Sequence, residues 1–129
     1  MDEELKPVEW VGDSRKKLVA MPREVMAEIG FQLHQAQTGE MPDLAKPLKG
    51  VGSGVFEIKK RFDGDTYRAV YAVQIGDSVY VLHCFQKKAK KGIATPKPDI
   101  DLIKKRYKEA LEMEKDKTDG DKKKNKKRH

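Results

Sequence analysis

The sequence predicts a small α+β domain in which an N-terminal strand and a helical hairpin pack on an antiparallel sheet, followed by a C-terminal helix. Three observations carry this. Apolar residues recur at helical spacing between residues 14 and 37; three strand-like runs separated by tight-turn signals fill residues 55–86; and a last helical stripe follows residue 99.

The elements follow in order. Val8-Glu9-Trp10-Val11 alternates apolar and polar residues after Pro7 and stops at Gly12, which suits a short edge strand. Asp13 or Ser14 then caps a short helix carrying Leu18 and Met21. Pro22 opens a second helix whose Val25, Met26, Ile29, Leu33 and Ala36 form one stripe ending near Gly39. Such a hairpin must lay its stripe on another layer, most simply a sheet. Residues 40–54 are rich in Pro and Gly and read as a loop. Strands are expected over residues 55–62, 66–75 and 78–86, joined by Asp63-Gly64-Asp65 and Gly76-Asp77, so the three form an antiparallel meander. After a basic loop, Asp99 caps a helix with Ile100, Ile103, Tyr107 and Ala110 on one stripe.

Composition bounds the rest. The chain has 129 residues, one Cys and a net charge of +7. That is room for one core, and a single thiol builds neither a disulfide nor a Cys-based metal site. No apolar run approaches the roughly 20 residues of a membrane span. The opening Met1-Asp2-Glu3-Glu4 lacks the basic and apolar regions of a signal peptide, so a cytoplasmic protein with no membrane partner is expected. Residues 114–129 contain no apolar residue and read as a disordered basic tail behind a domain of residues 1–113. Charge is unevenly placed, with balances of −4 over residues 1–45, +6 over 46–93, +1 over 94–113 and +4 in the tail. The strand-rich middle is therefore the more informative basic region.

Strand alternation divides these residues between two faces. Phe56, Ile58 and Phe62, then Tyr67, Ala69, Tyr71, Val73 and Ile75, then Tyr80, Leu82 and Cys84, are expected to cover the helical hairpin. The opposite face gathers Glu57, Lys59, Arg61, Arg68 and His83, with Phe85, Lys87 and Lys88 toward its rim. Cations, a carboxylate, an imidazole and a ring on one face suit a polyanion with bases to stack. Each member also has a plain structural reading. Glu57 with Lys59 or Arg68 is an ordinary cross-strand ion pair, His83 an ordinary structural histidine, and the lysines after Phe85 edge protection.

Taken together, Ala45-Lys46-Pro47-Leu48-Lys49-Gly50, Gly54-Val55-Phe56-Glu57-Ile58, Tyr67-Arg68-Ala69-Val70-Tyr71 and Leu82-His83-Cys84-Phe85-Gln86-Lys87-Lys88, followed by Thr95-Pro96 and a helix, resemble the RelE/ParE superfamily of bacterial toxins. More narrowly they resemble its phage-derived HigB-type branch. The resemblance spans about residues 6–111 and implies a RelE-like fold. It also implies the toxin of a type II toxin–antitoxin system, a metal- and cofactor-independent endoribonuclease that cuts messenger RNA, commonly on the ribosome, by attack of a 2′-hydroxyl on the adjacent phosphate. Arg68 matches the arginine that would hold the phosphate. Glu57 is a candidate base, His83 a base or acid, and Lys59 a catalytic cation. Lys49, Arg61, Phe85, Lys87 and Lys88 are the expected RNA contacts. The implied partner is an antitoxin with a helix-turn-helix domain. Some relatives end the sheet with a tyrosine where this chain has Phe85, which moves no proton, and one branch inhibits DNA gyrase without cutting RNA. A noncatalytic gyrase inhibitor or nucleic-acid-binding protein is thus the alternative.

Overall fold

The computed structural model describes residues 5–88 and 94–127, with the side chains of Lys88 and of residues 120–127 left undescribed. The elements are β1 (Val8–Trp10), α1 (Ser14–Val19), α2 (Arg23–Gln37), β2 (Ala45–Pro47), β3 (Val55–Phe62), β4 (Asp65–Ala72), β5 (Val79–Lys88) and α3 (Lys97–Lys127). The fold is α+β. One five-stranded sheet runs in the order β1-β5-β4-β3-β2. It is mixed where an antiparallel sheet was expected, because β1 pairs with β5 in parallel, Val8 opposite Val79 and Trp10 opposite Val81. An adjacent parallel partner requires a crossover, and β5 is separated from β1 by both helices and three strands. A further strand, β2, lies inside the expected loop; it is three residues long, includes Pro47 and borders only β3, as a proline-containing strand must.

The β3–β4 hairpin turns on Asp63 and Gly64, both at positive φ (50° and 84°), between the paired residues Phe62 and Asp65. That backbone matches the twist of the strands, and Asp-Gly supplies it at low cost. α1 and α2 bury Leu18, Val25, Ile29, Leu33 and Ala36 against Ile58, Tyr67, Ala69, Tyr71, Val79, Val81 and Cys84. The helical stripe read from the sequence is this core.

The other face of the sheet is not open. α3 lies across it, burying Ile103 and Ala110 with Val55, Val70, Ala72, Tyr80, Leu82 and Phe85. Here the expected strand parity fails in part. The β4–β5 register slips between Val70 and Tyr71, so His83 opposes Val70, Val81 opposes Tyr71, and Leu82 is the extra residue of a bulge. Before the bulge, Tyr80 and Leu82 face α3, while Val79 and Val81 face the hairpin. After it, the expected sides hold: Cys84 packs with α1 and α2, Phe85 with α3. Ile75, beyond the end of β4, also joins the α3 core.

α3 is longer than expected. The boundary anticipated at residue 113 falls inside a continuous helix, beside a hydrogen bond of 2.7 Å from the Tyr80 hydroxyl to Glu114 and an ion pair of 3.1 Å from Lys117 to Glu9. A segment without apolar residues can still propagate a helix that a packed stripe has already nucleated, since Lys and Glu are good helix formers.

Candidate active site

Three cross-strand rows carry the charged residues on the α3 side of the sheet. Lys59, Arg68 and Phe85 are paired across β3, β4 and β5; Glu57, Val70 and His83 form the next row; Arg61, Thr66 and Lys87 form the row on the other side. The bulge lies just past the His83 row, which is why this part of the expected face survives it.

Arg68 is 1% exposed and Glu57 5%. The Arg68 Nη1 group donates to both Glu57 oxygens at 3.2 Å, and Lys59 Nζ stands 3.8 Å from Oε1. Two unlike charges at such burial must be paired, because an isolated one costs several kcal/mol in desolvation. Thr95, in the segment before α3, joins the cluster: its hydroxyl donates to Glu57 Oε2 at 2.7 Å and accepts from Arg68 Nη1 at 3.3 Å.

His83 belongs to a second cluster. Its Nε2 is 2.9 Å from Asp99 Oδ1, and its Nδ1 is 3.4 Å from Arg106 Nη1. A guanidinium only donates, so Nδ1 is the acceptor and Nε2 carries the proton, which it gives to Asp99. Burial holds the His83 pKa below its ordinary value, although Asp99 pulls the other way. Arg106 is fixed in turn by the Leu82 carbonyl at 3.1 Å and by Asp13 at 2.6 Å, and the Arg106 bond holds the Asp13 carboxyl below its ordinary pKa. The Phe85 ring stacks on His83 with centroids 4.6 Å apart. Beside them opens a cleft of 390 Å³ lined by Lys17, Met21, Tyr67, His83, Phe85 and Asp99.

The structure therefore brings Glu57, Lys59, Arg68, His83 and Phe85 together, and places Arg61 and Lys87 exposed at the edge of the same face. It does not bring in Lys49, which is exposed in the turn after β2, by the Val55 end of β3. The side chain of Lys88 lies outside the described residues. Thr95, Asp99, Arg106 and Asp13 had no assigned role in the site. Asp13 and Asp99 were read only as helix caps and Thr95 only as part of the resemblance, while Arg106 stands in the sequence as a cation at helical spacing between Ile103 and Ala110 on the buried stripe. Buried Cys84, its thiol pushed up to about 12 by desolvation, supplies no nucleophile. Among the described residues no group of three or more His, Cys, Asp or Glu could hold a metal, and no helix is long and apolar enough to cross a membrane.

Residues 16–108 match the model of a family described as phage derived protein Gp49-like. The chain belongs to the Gp49-like family. The matched span of this Gp49-like protein takes in both clusters except Asp13. No curated protein matches the sequence significantly. Among solved structures, a chain of the toxin–antitoxin complex RelBE2 from Mycobacterium tuberculosis is similar, with a TM-score of 0.47 and 20% identity over 68% of this chain and 98% of that one.

Proposed function

We propose that this Gp49-like protein is the toxin of a toxin–antitoxin pair and acts in the cytoplasm as a metal-independent endoribonuclease on messenger RNA, engaged on the ribosome. Family membership and the sequence words that resemble the RelE/ParE superfamily and its HigB-type branch support the toxin reading. The observation that carries the chemistry is the Arg68–Glu57 pair with Lys59 beside it, in line with the exposed cations Arg61 and Lys87.

In this reading Glu57 accepts the proton of the 2′-hydroxyl and the O2′–P bond forms, while Arg68 neutralises the phosphoryl oxygens. The P–O5′ bond breaks, and the departing oxygen takes a proton from the Lys59 ammonium; transfer from Glu57 to Lys59 restores both groups. Glu57 is favoured over His83 as the base because both His83 ring nitrogens are engaged. Phe85 and the exposed cations hold neighbouring nucleotides, and an antitoxin with a helix-turn-helix domain restrains the toxin.

Purified protein, alone or with ribosomes, is expected to cut messenger RNA and leave a 2′,3′-cyclic phosphate, with activity lost in folded Arg68→Ala and Glu57→Gln variants. Full cleavage by both variants removes the site assignment; inhibited DNA supercoiling without RNA cleavage establishes the noncatalytic alternative.

A further inference from the structure

Thr95 is seated between the two charged groups of the site. Its hydroxyl donates a hydrogen bond to Glu57 Oε2 across 2.7 Å, and the Thr95 hydroxyl oxygen itself accepts from Arg68 Nη1 at 3.3 Å. With Arg68 and Glu57 1% and 5% exposed, this arrangement leaves no room for a phosphate between them. The closure is held at several points along α3, through Asp99 on His83, Arg106 on Asp13 and the Leu82 carbonyl, and Glu114 on Tyr80.

The Thr95 oxygen is a secondary alcohol donating to a carboxylate beside a guanidinium. A ribose 2′-hydroxyl is also a secondary alcohol, and its attack on the adjacent phosphate needs those same two neighbours, an acceptor for its proton and a cation for the phosphoryl oxygens. We propose that Thr95 occupies the seat of the nucleophilic 2′-hydroxyl, so that this closed form is self-inhibited and single-stranded RNA enters by displacing Thr95. The inference rests on the nuclease reading and adds to it a built-in competitor.

The test compares Thr95→Val, which keeps the volume and removes the hydroxyl, with Thr95→Ser, which keeps the hydroxyl. Fluorescence anisotropy is read with a short single-stranded RNA and with its all-2′-deoxy counterpart, and cleavage is followed in parallel. The competitor makes one hydrogen bond to a charged group, so its loss is expected to tighten RNA binding and lower KM roughly tenfold. The deoxy strand should gain less, and the serine variant should keep the wild-type affinity. If the valine variant keeps its thermal midpoint but neither binds nor cleaves better, Thr95 is a structural contact and the proposal is overturned, while wild-type cleavage leaves the nuclease reading standing. If no form cleaves any RNA, with or without ribosomes, the nuclease reading falls, and the seat is decided by binding alone: a gain for the ribose strand over the deoxy strand upholds it, equal affinities overturn it. Should the valine variant not fold, Thr95→Ala is read in the same way, and failure of both to fold overturns the proposal.

Discussion

Arg106 fixes the tautomer of His83: its Nη1 stands 3.4 Å from His83 Nδ1 and has only protons to give, so the ring is neutral with its proton on Nε2, facing Asp99. A second proton would have to enter on Nδ1, against the guanidinium. The folded-state pKa of His83 accordingly lies below its ordinary 6.5, with burial as the first cause. The unfolded chain then binds the extra proton more readily than the folded one, so this contribution to stability is complete above about pH 6.5 and is lost as pH falls toward the folded value. Urea midpoints measured at pH 7.5 and 5.5 are expected to drop for the wild type and to drop less for His83→Asn.

The same guanidinium ties three elements together. It reaches the Leu82 carbonyl on β5, His83, and Asp13 at the entrance to α1. Replacing it by an apolar chain of similar length leaves those acceptors without a donor, which costs about 2 kcal/mol. Arg106→Met is therefore expected to lower the thermal midpoint by roughly 8 °C, and Arg106→Lys to recover only part of that, since an ammonium cannot span the fork. Gly12 lies against this arginine. Its φ is +57°, and a Cβ there would come within 2.8 Å of the Arg106 guanidinium carbon. Gly12→Ala should cost about 1–2 kcal/mol from the backbone conformation alone and should also displace Arg106, which the His83 Nδ1 shift in an NMR titration reports.

Legibility in the sequence followed physical range. The stripe from Leu18 to Ala36 and the turn at Asp63-Gly64 are fixed by neighbours a few residues away, and both were readable. The shared face of Glu57, Arg68, His83 and Phe85 was readable because alternation survives over the stretch from Arg68 to Val70. The faces of Tyr80 and Leu82 were not, because the bulge at Leu82 exists only through its pairing with β4 and leaves no mark in β5 alone. Neither was the parallel β1–β5 pair, a contact across some 70 positions. The contributions of Thr95 and Asp99 were equally hidden. Each looks like ordinary helix-entry chemistry until α3 is laid over the sheet, and only then do their oxygens meet Glu57 and His83.

Arg68 and Glu57 are stabilising only as a pair. Removing one leaves the other charged, desolvated and without that partner, a loss of about 3 kcal/mol, whereas replacing both with apolar residues of similar size is close to neutral. Arg68→Met alone should therefore unfold at clearly lower urea concentration than the wild type, and the double variant Arg68→Met/Glu57→Met should return most of the way. Neither should cleave RNA. A double variant as unstable as the single one would mean that Glu57 is held by Thr95 and Lys59 strongly enough to stand without Arg68.

Truncation separates the docked part of α3 from the rest. Cutting after Met113 removes Glu114, which accepts the buried Tyr80 hydroxyl, and Lys117, which pairs with Glu9. The Tyr80 phenol, its pKa raised first by burial and then by Glu114, would be left with a proton and no protein acceptor. One lost hydrogen bond to a charged group and one exposed ion pair amount to about 2 kcal/mol, nearly all of it from the first. Cutting after Asp119 spares both contacts and should leave the thermal midpoint closer to that of the wild type than the cut after Met113 does. The longer truncation should also loosen the closure of the site, because Glu114 is one of the points that hold α3 on the sheet. It is thus expected to be less stable yet more active per folded molecule, a pairing of outcomes that simple damage to the fold would not produce, and that calorimetry with cleavage assays on the same samples can check.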